Sequence, residues 1–114
     1  MTDNVRVRGE NVSALEVEQV AARHPAVEDC AMIGVAADIG EQEIKLFVKR
    51  RDGAALAPQE LSAWLGERLA PYQNPRYIVM IADFERTASQ RIMKHKLSAL
   101  TDPVWNRMAA PARG

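Results

Sequence analysis

Residues 27–51 constrain the fold most. Val27 to Ala36 is an apolar run containing Cys30, Met32, Ile33 and Val35. A turn-forming stretch, Asp38-Ile-Gly-Glu41, follows it, and Glu43 to Arg51 then alternates with a period of two. Ile44, Leu46 and Val48 point one way, while Lys45, Phe47 and Lys49 point the other. Period two is the signature of a strand with two different faces. Two such segments joined by a short turn form an antiparallel hairpin in the simplest reading.

The flanking segments supply further strands and helices. Asp3 to Arg8 alternates around Val5 and Val7 and predicts a short strand, ended by Gly9. Gly9-Glu-Asn-Val is expected to be a tight connection. Ser13 reads as a helix N-cap with Glu16 at capping-box spacing. Val17, Val20 and Ala21 form the apolar stripe of that helix, with Glu16, Glu18, Gln19 and Arg23 outside it. His24-Pro25 stops it, because proline disfavours helical geometry in the residue before it. Pro58 opens a second helix with a stripe at Leu61, Trp64, Leu65 and Leu69, and Pro71 ends it. Tyr77 to Ile81 reads as another strand, residues from Thr87 as a loop, and Lys94 to Leu100 as a short helix. The order predicts an α+β domain over residues 1–100, a small sheet with hairpins packed by about three helices, and a loose basic tail over 101–114.

Charge is unevenly placed. Residues 1–85 carry nine Lys/Arg against fourteen Asp/Glu, and residues 86–114 carry six against Asp102 alone. This basic end reads either as a solvated tail or as a segment that faces an anion. Six charges without interleaved aromatics are a poor nucleic-acid signal, so no nucleic-acid partner is expected. No apolar run approaches the roughly 18–20 residues a bilayer span needs, so no membrane partner is expected either. Met1-Thr-Asp-Asn is polar and does not read as a signal peptide. The single cysteine, Cys30, cannot form an internal disulfide, which fits a reducing cytoplasm. Cys30 reads as core rather than nucleophile, and His24 and His95 lack metal-ligand spacing.

Four separated segments resemble the C-terminal domain of the AMP-forming acyl-CoA synthetases. Residues 87–97, Thr-Ala-Ser-Gln-Arg-Ile-Met-Lys-His-Lys-Leu, resemble the signature Thr-Pro-Thr-Gly-Lys-Ile-x-Lys-x-x-Leu near the C-terminus of that family. Asp3-Asn-Val-Arg-Val-Arg-Gly-Glu-Asn-Val-Ser-Ala-Leu-Glu-Val-Glu resembles the segment that opens the domain. Val27 to Val35, with Gly34, resembles a strand ending in Gly-Val. Leu69-Ala-Pro-Tyr-Gln-Asn-Pro-Arg-Tyr-Ile resembles the helix end and proline turn before the last strand. The order and spacing of all four carry the resemblance, and the finer pattern is similar to crotonobetaine/carnitine-CoA ligases of fatty acid or carnitine metabolism.

The resemblance implies a lid that completes an active site on an N-terminal adenylation domain, in cis or in trans. ATP and CoA would be substrates, Mg2+ would accompany ATP, and the lid alone would be inactive. Arg91 falls on the lysine that serves adenylation, and its other reading is an exposed charge in a relaxed site. Gln90 falls on the glycine before it, so easy access to positive φ is lost and the loop is expected to be stiffer or to turn differently. Gly9, with Glu10, falls on the loop that lines the CoA tunnel, and a plain turn glycine is compatible with that. Lys94 reads as a solvated helix face or as a cation that steers phosphate. Asp3 falls on the hinge, though only two residues precede it and a terminal acid reads equally simply. The alternative is a free-standing, non-catalytic module that docks on a separate adenylating protein.

Overall fold

The computed structural model describes residues 4–7, 9–36, 42–99 and 104–107. The candidate hinge Asp3 lies outside them.

The expected hairpin is the centre of the molecule. Strand β3 (Val27–Ala36) pairs antiparallel with β4 (Gln42–Arg50), with Cys30 opposite Val48 and Met32 opposite Leu46. A register shift between Val27 and Asp29 marks a bulge near the start of β3. Strand β5 (Tyr77–Met80) lies parallel to β4, and β6 (Val104–Asn106) pairs antiparallel with β5. The four-stranded order is β3-β4-β5-β6, so β3 and β6 form the edges. Parallel β4 and β5 need a crossover, and helix α2 (Pro58–Gly66) lies within it.

Period two divides the sheet into two faces. On the first, Cys30, Met32, Ile44, Leu46, Val48 and Ile78 are buried. Helix α1 (Ala14–Ala21) covers them with Val17 and Ala21, and α2 adds Leu61 and Leu65. Ser13 caps α1, its Oγ accepting from the Glu16 amide at 3.4 Å. A two-stranded hairpin, β1 (Asn4–Val7) with β2 (Glu10–Ser13), packs on the same face through Val5, Val7 and Val12. On the second face, Ala31, Phe47 and Val79 are buried beneath Ile81, Phe84 and Leu97, with Ile33 and Ile92 partly buried beside them. Phe47, which alternates with two lysines in the sequence, is fully enclosed.

Three features differ from the sequence expectations. The stretch after Gly9 is a strand rather than only a connection. Its single buried side chain, Val12, is too little for a period to show. Residues 104–106, expected within the loose tail, are strand β6 on the sheet edge. Trp105 packs against the first core, and the Arg107 side chain donates to the carbonyls of Asn74 and Pro75 at 3.3 and 3.2 Å. The rest of the tail lies outside the described residues. Lys94–Ala99 is helical as expected, but as tighter 3-10 turns, so two α-helices rather than about three are described.

Candidate functional site: a cationic turn at the edge of the sheet

The segment after β5 crosses the second face and folds back as a narrow turn. Arg86 and Ile92 form an isolated antiparallel bridge. Inside it, the Thr87 amide donates to the Arg91 carbonyl at 2.8 Å and the Gln90 amide to the Thr87 carbonyl at 2.9 Å. The Thr87 Oγ1 accepts from the Arg91 amide at 3.2 Å and lies 3.1 Å from the Ser89 Oγ. Arg86 donates through Nη1 to the Gln90 carbonyl at 3.2 Å. Every one of these bonds is local, so the tip is held as a unit.

Gln90 has φ 70°, the left-handed region. The turn therefore takes the positive-φ position that the resemblance assigns to glycine, despite the side chain. Of the two expectations, a stiffer loop or a different turn, the different turn is not needed to reach this angle. Glutamine tolerates it at a cost of about 1 kcal/mol, and the surrounding bonds outweigh that cost.

Arg91 is exposed beside the tip. Among the described residues, its guanidinium has no hydrogen-bond or ion-pair partner. It lines an open hollow of about 570 Å³ together with Glu18, Cys30, Arg86, Thr87 and Lys94. The hollow lies against the free edge of β3. That edge is satisfied by side chains: the Met32 amide donates to the Glu18 Oε2 at 2.8 Å, and the Cys30 amide to the Asp29 Oδ1 at 2.9 Å. Lys94 pairs with the Glu18 Oε2 at 2.7 Å, and Arg86 pairs with Asp29. Lys96 reaches Glu85 at 2.9 Å. The Cys30 thiol donates to the Glu18 carbonyl at 3.4 Å. Burial pushes this thiol up to about 12, with the Glu18 charge adding to the rise and Lys94 opposing it. Cys30 is therefore a thiol rather than a thiolate at neutral pH.

Gly9 and Glu10 are exposed and do not line this hollow. They sit at the turn of the β1–β2 hairpin, on the first face, where Val7 is opposite Glu10. Gly9 has φ 82° and open space where a Cβ would project, so the backbone angle, not crowding, calls for glycine. Among the described residues, no group of three or more His, Cys, Asp or Glu is clustered so as to hold a metal ion. The structure thus joins Arg91 with Lys94 and separates both from Gly9 and Glu10.

Sequence reasoning passed over Glu18, Asp29, Arg86 and Thr87. Glu18 reads as the solvent side of α1, and Asp29 and Arg86 lie 57 positions apart. Only Thr87 carries a local signal, as a hydroxyl four residues before the amide it accepts from.

Comparison with known proteins gives the family and the fold. Residues 16–91, more than half of the chain, match the AMP-binding enzyme C-terminal domain family. The Bacillus subtilis protein YngI, which carries an acyl-CoA synthetase name, is 37% identical over 99 residues, spanning 86% of this chain and 18% of the relative. The crotonobetaine/carnitine–CoA ligase of Salmonella arizonae is 34% identical over 93 residues, spanning 82% of this chain and 18% of the ligase. The o-succinylbenzoate CoA synthetase MenE of Bacillus subtilis, solved with a product analogue, superposes with a TM-score of 0.82 at 24% identity, over 91% of this chain and 21% of MenE. The chain therefore spans about a fifth of the length of these proteins, shares the fold of the matching part of MenE, and belongs to the AMP-binding enzyme C-terminal domain family.

Proposed function

We propose that this domain is the mobile lid of an ATP-dependent, AMP-forming acyl-CoA ligase. One observation carries the reading: the two candidate loops belong to opposite faces of one sheet. Arg91 belongs to the segment covering the second face, and Gly9 to the hairpin on the first. A rigid domain with this arrangement serves two steps by turning, not by presenting both loops at once.

In the first step a carboxylate oxygen attacks the α-phosphorus of ATP and pyrophosphate leaves, giving acyl-AMP. Negative charge builds on phosphoryl and carboxylate oxygens. An unpartnered guanidinium stabilises it electrostatically and can span two oxygens with its planar fork. In the second step the CoA sulfur attacks the acyl carbonyl, the acyl–phosphate bond breaks and AMP leaves. The turn at Gly9 and Glu10 lines the approach of the pantetheine arm. The adenylation domain supplies the ATP and acyl pockets, so this chain alone forms neither product. Within this reading the acid is of the small or medium class handled by crotonobetaine/carnitine-CoA ligases, and the enzyme works in the cytoplasm.

The test separates the half-reactions in the ligase that carries this domain. Arg91→Ala slows acyl-AMP formation by roughly 10²–10³-fold, the usual scale for removing one charge-stabilising group. Gly9→Leu slows thioester formation from preformed acyl-AMP and spares the first step. If neither variant changes either half-reaction, the reading is wrong.

A further inference from the structure

A turn held only by its own bonds can rock as a unit about its two ends. In this domain both ends are tied to regular structure by ion pairs. Arg86, one residue before the tip, pairs with Asp29 on β3. Lys94, three residues after Arg91, pairs with Glu18 on α1 at 2.7 Å. Glu18 is itself fixed, because the oxygen that meets Lys94 also accepts the Met32 amide from the β3 edge at 2.8 Å. Its side chain is 20% exposed and that of Lys94 27%, so neither group is fully solvated. Ile92, between the ties, packs into the second core and completes a three-point seat. Arg91 has no tie of its own among the described residues, so its aim depends on that seat.

We propose that Glu18 and Asp29 are positioning residues, two acids that hold the turn in the orientation that points Arg91 at the reacting oxygens. The inference rests on the adenylation role of Arg91. Partly exposed ion pairs add little to stability, so their effect here is geometric. Catalysis is sensitive to such geometry, since a displacement near 1 Å can cost about 10²-fold in rate. The assignment gives Lys94 and Arg86 the role of tethers, and of the three described cations lining the hollow it leaves Arg91 to face the site.

The experiment uses Glu18→Gln and Asp29→Asn, each near-isosteric, in the ligase that carries this domain, with Arg91→Ala alongside. Glu18→Gln keeps an acceptor for the Met32 amide and loses the charge that holds Lys94. Each variant is expected to lower kcat for acyl-AMP formation by roughly 10–100-fold with little change in KM for ATP. Thioester formation from preformed acyl-AMP stays within about twofold, which shows that the domain is folded. In the Arg91→Ala background, neither variant produces a further loss, because there is no guanidinium left to aim. Equal losses in both half-reactions, losses that persist without Arg91, or no loss at all overturn the positioning role. If Arg91→Ala leaves adenylation intact, the functional reading itself fails. If Arg91→Ala cripples adenylation while the acid variants are silent, only the positioning role fails.

Discussion

The two faces of the sheet are built differently. The first is covered by regular elements: two capped helices and a hairpin, meeting Cys30, Met32, Leu46 and Val48. The second is covered by one irregular segment that lays Ile81, Phe84, Ile92 and Leu97 over Ala31, Phe47 and Val79. Helices bury a stripe and satisfy their own backbone, so they make a stiff layer that needs little from its neighbours. An irregular segment needs side chains to finish its hydrogen bonds and fix its path. Thr87, Glu18 and Asp29 perform that task here. The regular face gives the domain its shape, while the irregular face carries the exposed Arg91 on a backbone that turns sharply at Gln90.

Core truncations on the two faces are the largest effects that sharpen this contrast. Phe47 is enclosed on the second face and Leu65 on the first. Phe47→Ala should destabilise by about 3–5 kcal/mol and Leu65→Ala by about 2–5 kcal/mol, measured by urea denaturation of the chain. A loss below about 1 kcal/mol for Phe47→Ala would show that the irregular segment covers without stabilising, and the second cluster would not be a core in the energetic sense.

The next effect tests the sheet edge. Trp105 is half-buried against the first core from β6. Trp105→Ala should cost about 2 kcal/mol, roughly half the loss for a fully buried aromatic. If the denaturation midpoint does not move, β6 does not belong to the cooperative unit.

These same regions divide what the sequence shows from what it hides. The β3–β4 hairpin was legible because a long apolar run is followed by a turn and a clean period of two, and both α-helices because an apolar stripe follows a cap or a proline, although α2 ends at Gly66, before the Pro71 expected to stop it. Strand β2 and strand β6 are four and three residues long, too short for a period, and pair only because other strands offer an edge. The parallel pairing of β4 with β5 leaves no local mark, since it joins Lys45 to Tyr77 across a helix. Phe47 looked polar-sided because Lys45 and Lys49 flank it, and the segment that covers it lies more than 30 residues further on. At the candidate site, a motif singles out Arg91, whose role is the one proposed above. Its supports were not legible, because an ion pair between distant residues is written only in three dimensions.

A pH measurement distinguishes the hollow from open surface. Burial, followed by the Glu18 charge, raises the Cys30 thiol from 9.0 to about 12, while Lys94 lowers it. The raised group is a thiol in the folded chain over a range where the unfolded chain holds a thiolate. It therefore contributes stability in full below the unfolded value and loses that contribution as pH climbs from 9.0 toward about 12. Cys30→Ala should flatten this alkaline decline relative to the unaltered chain in parallel denaturation series. Identical slopes would mean that the thiol titrates as if exposed and that the hollow is wetter than its lining suggests.

The smallest effect lies at the tip. Gln90 holds φ 70° in an exposed turn. Gln90→Gly relieves strain worth about 1 kcal/mol but loosens the unfolded chain by a similar amount, so the net change should stay within about 0.5 kcal/mol. Gln90→Val has no such balance. A β-branched residue fits left-handed geometry badly, so the turn must either hold it at a cost of at least about 1 kcal/mol or shift. The two substitutions separate backbone angle from side-chain contact. If valine proves as neutral as glycine, the left-handed angle is not fixed by the bonds from Thr87 and Arg86. The tip would then bend freely, and the aim of Arg91 would come from the ties at Asp29 and Glu18 with no help from the turn itself.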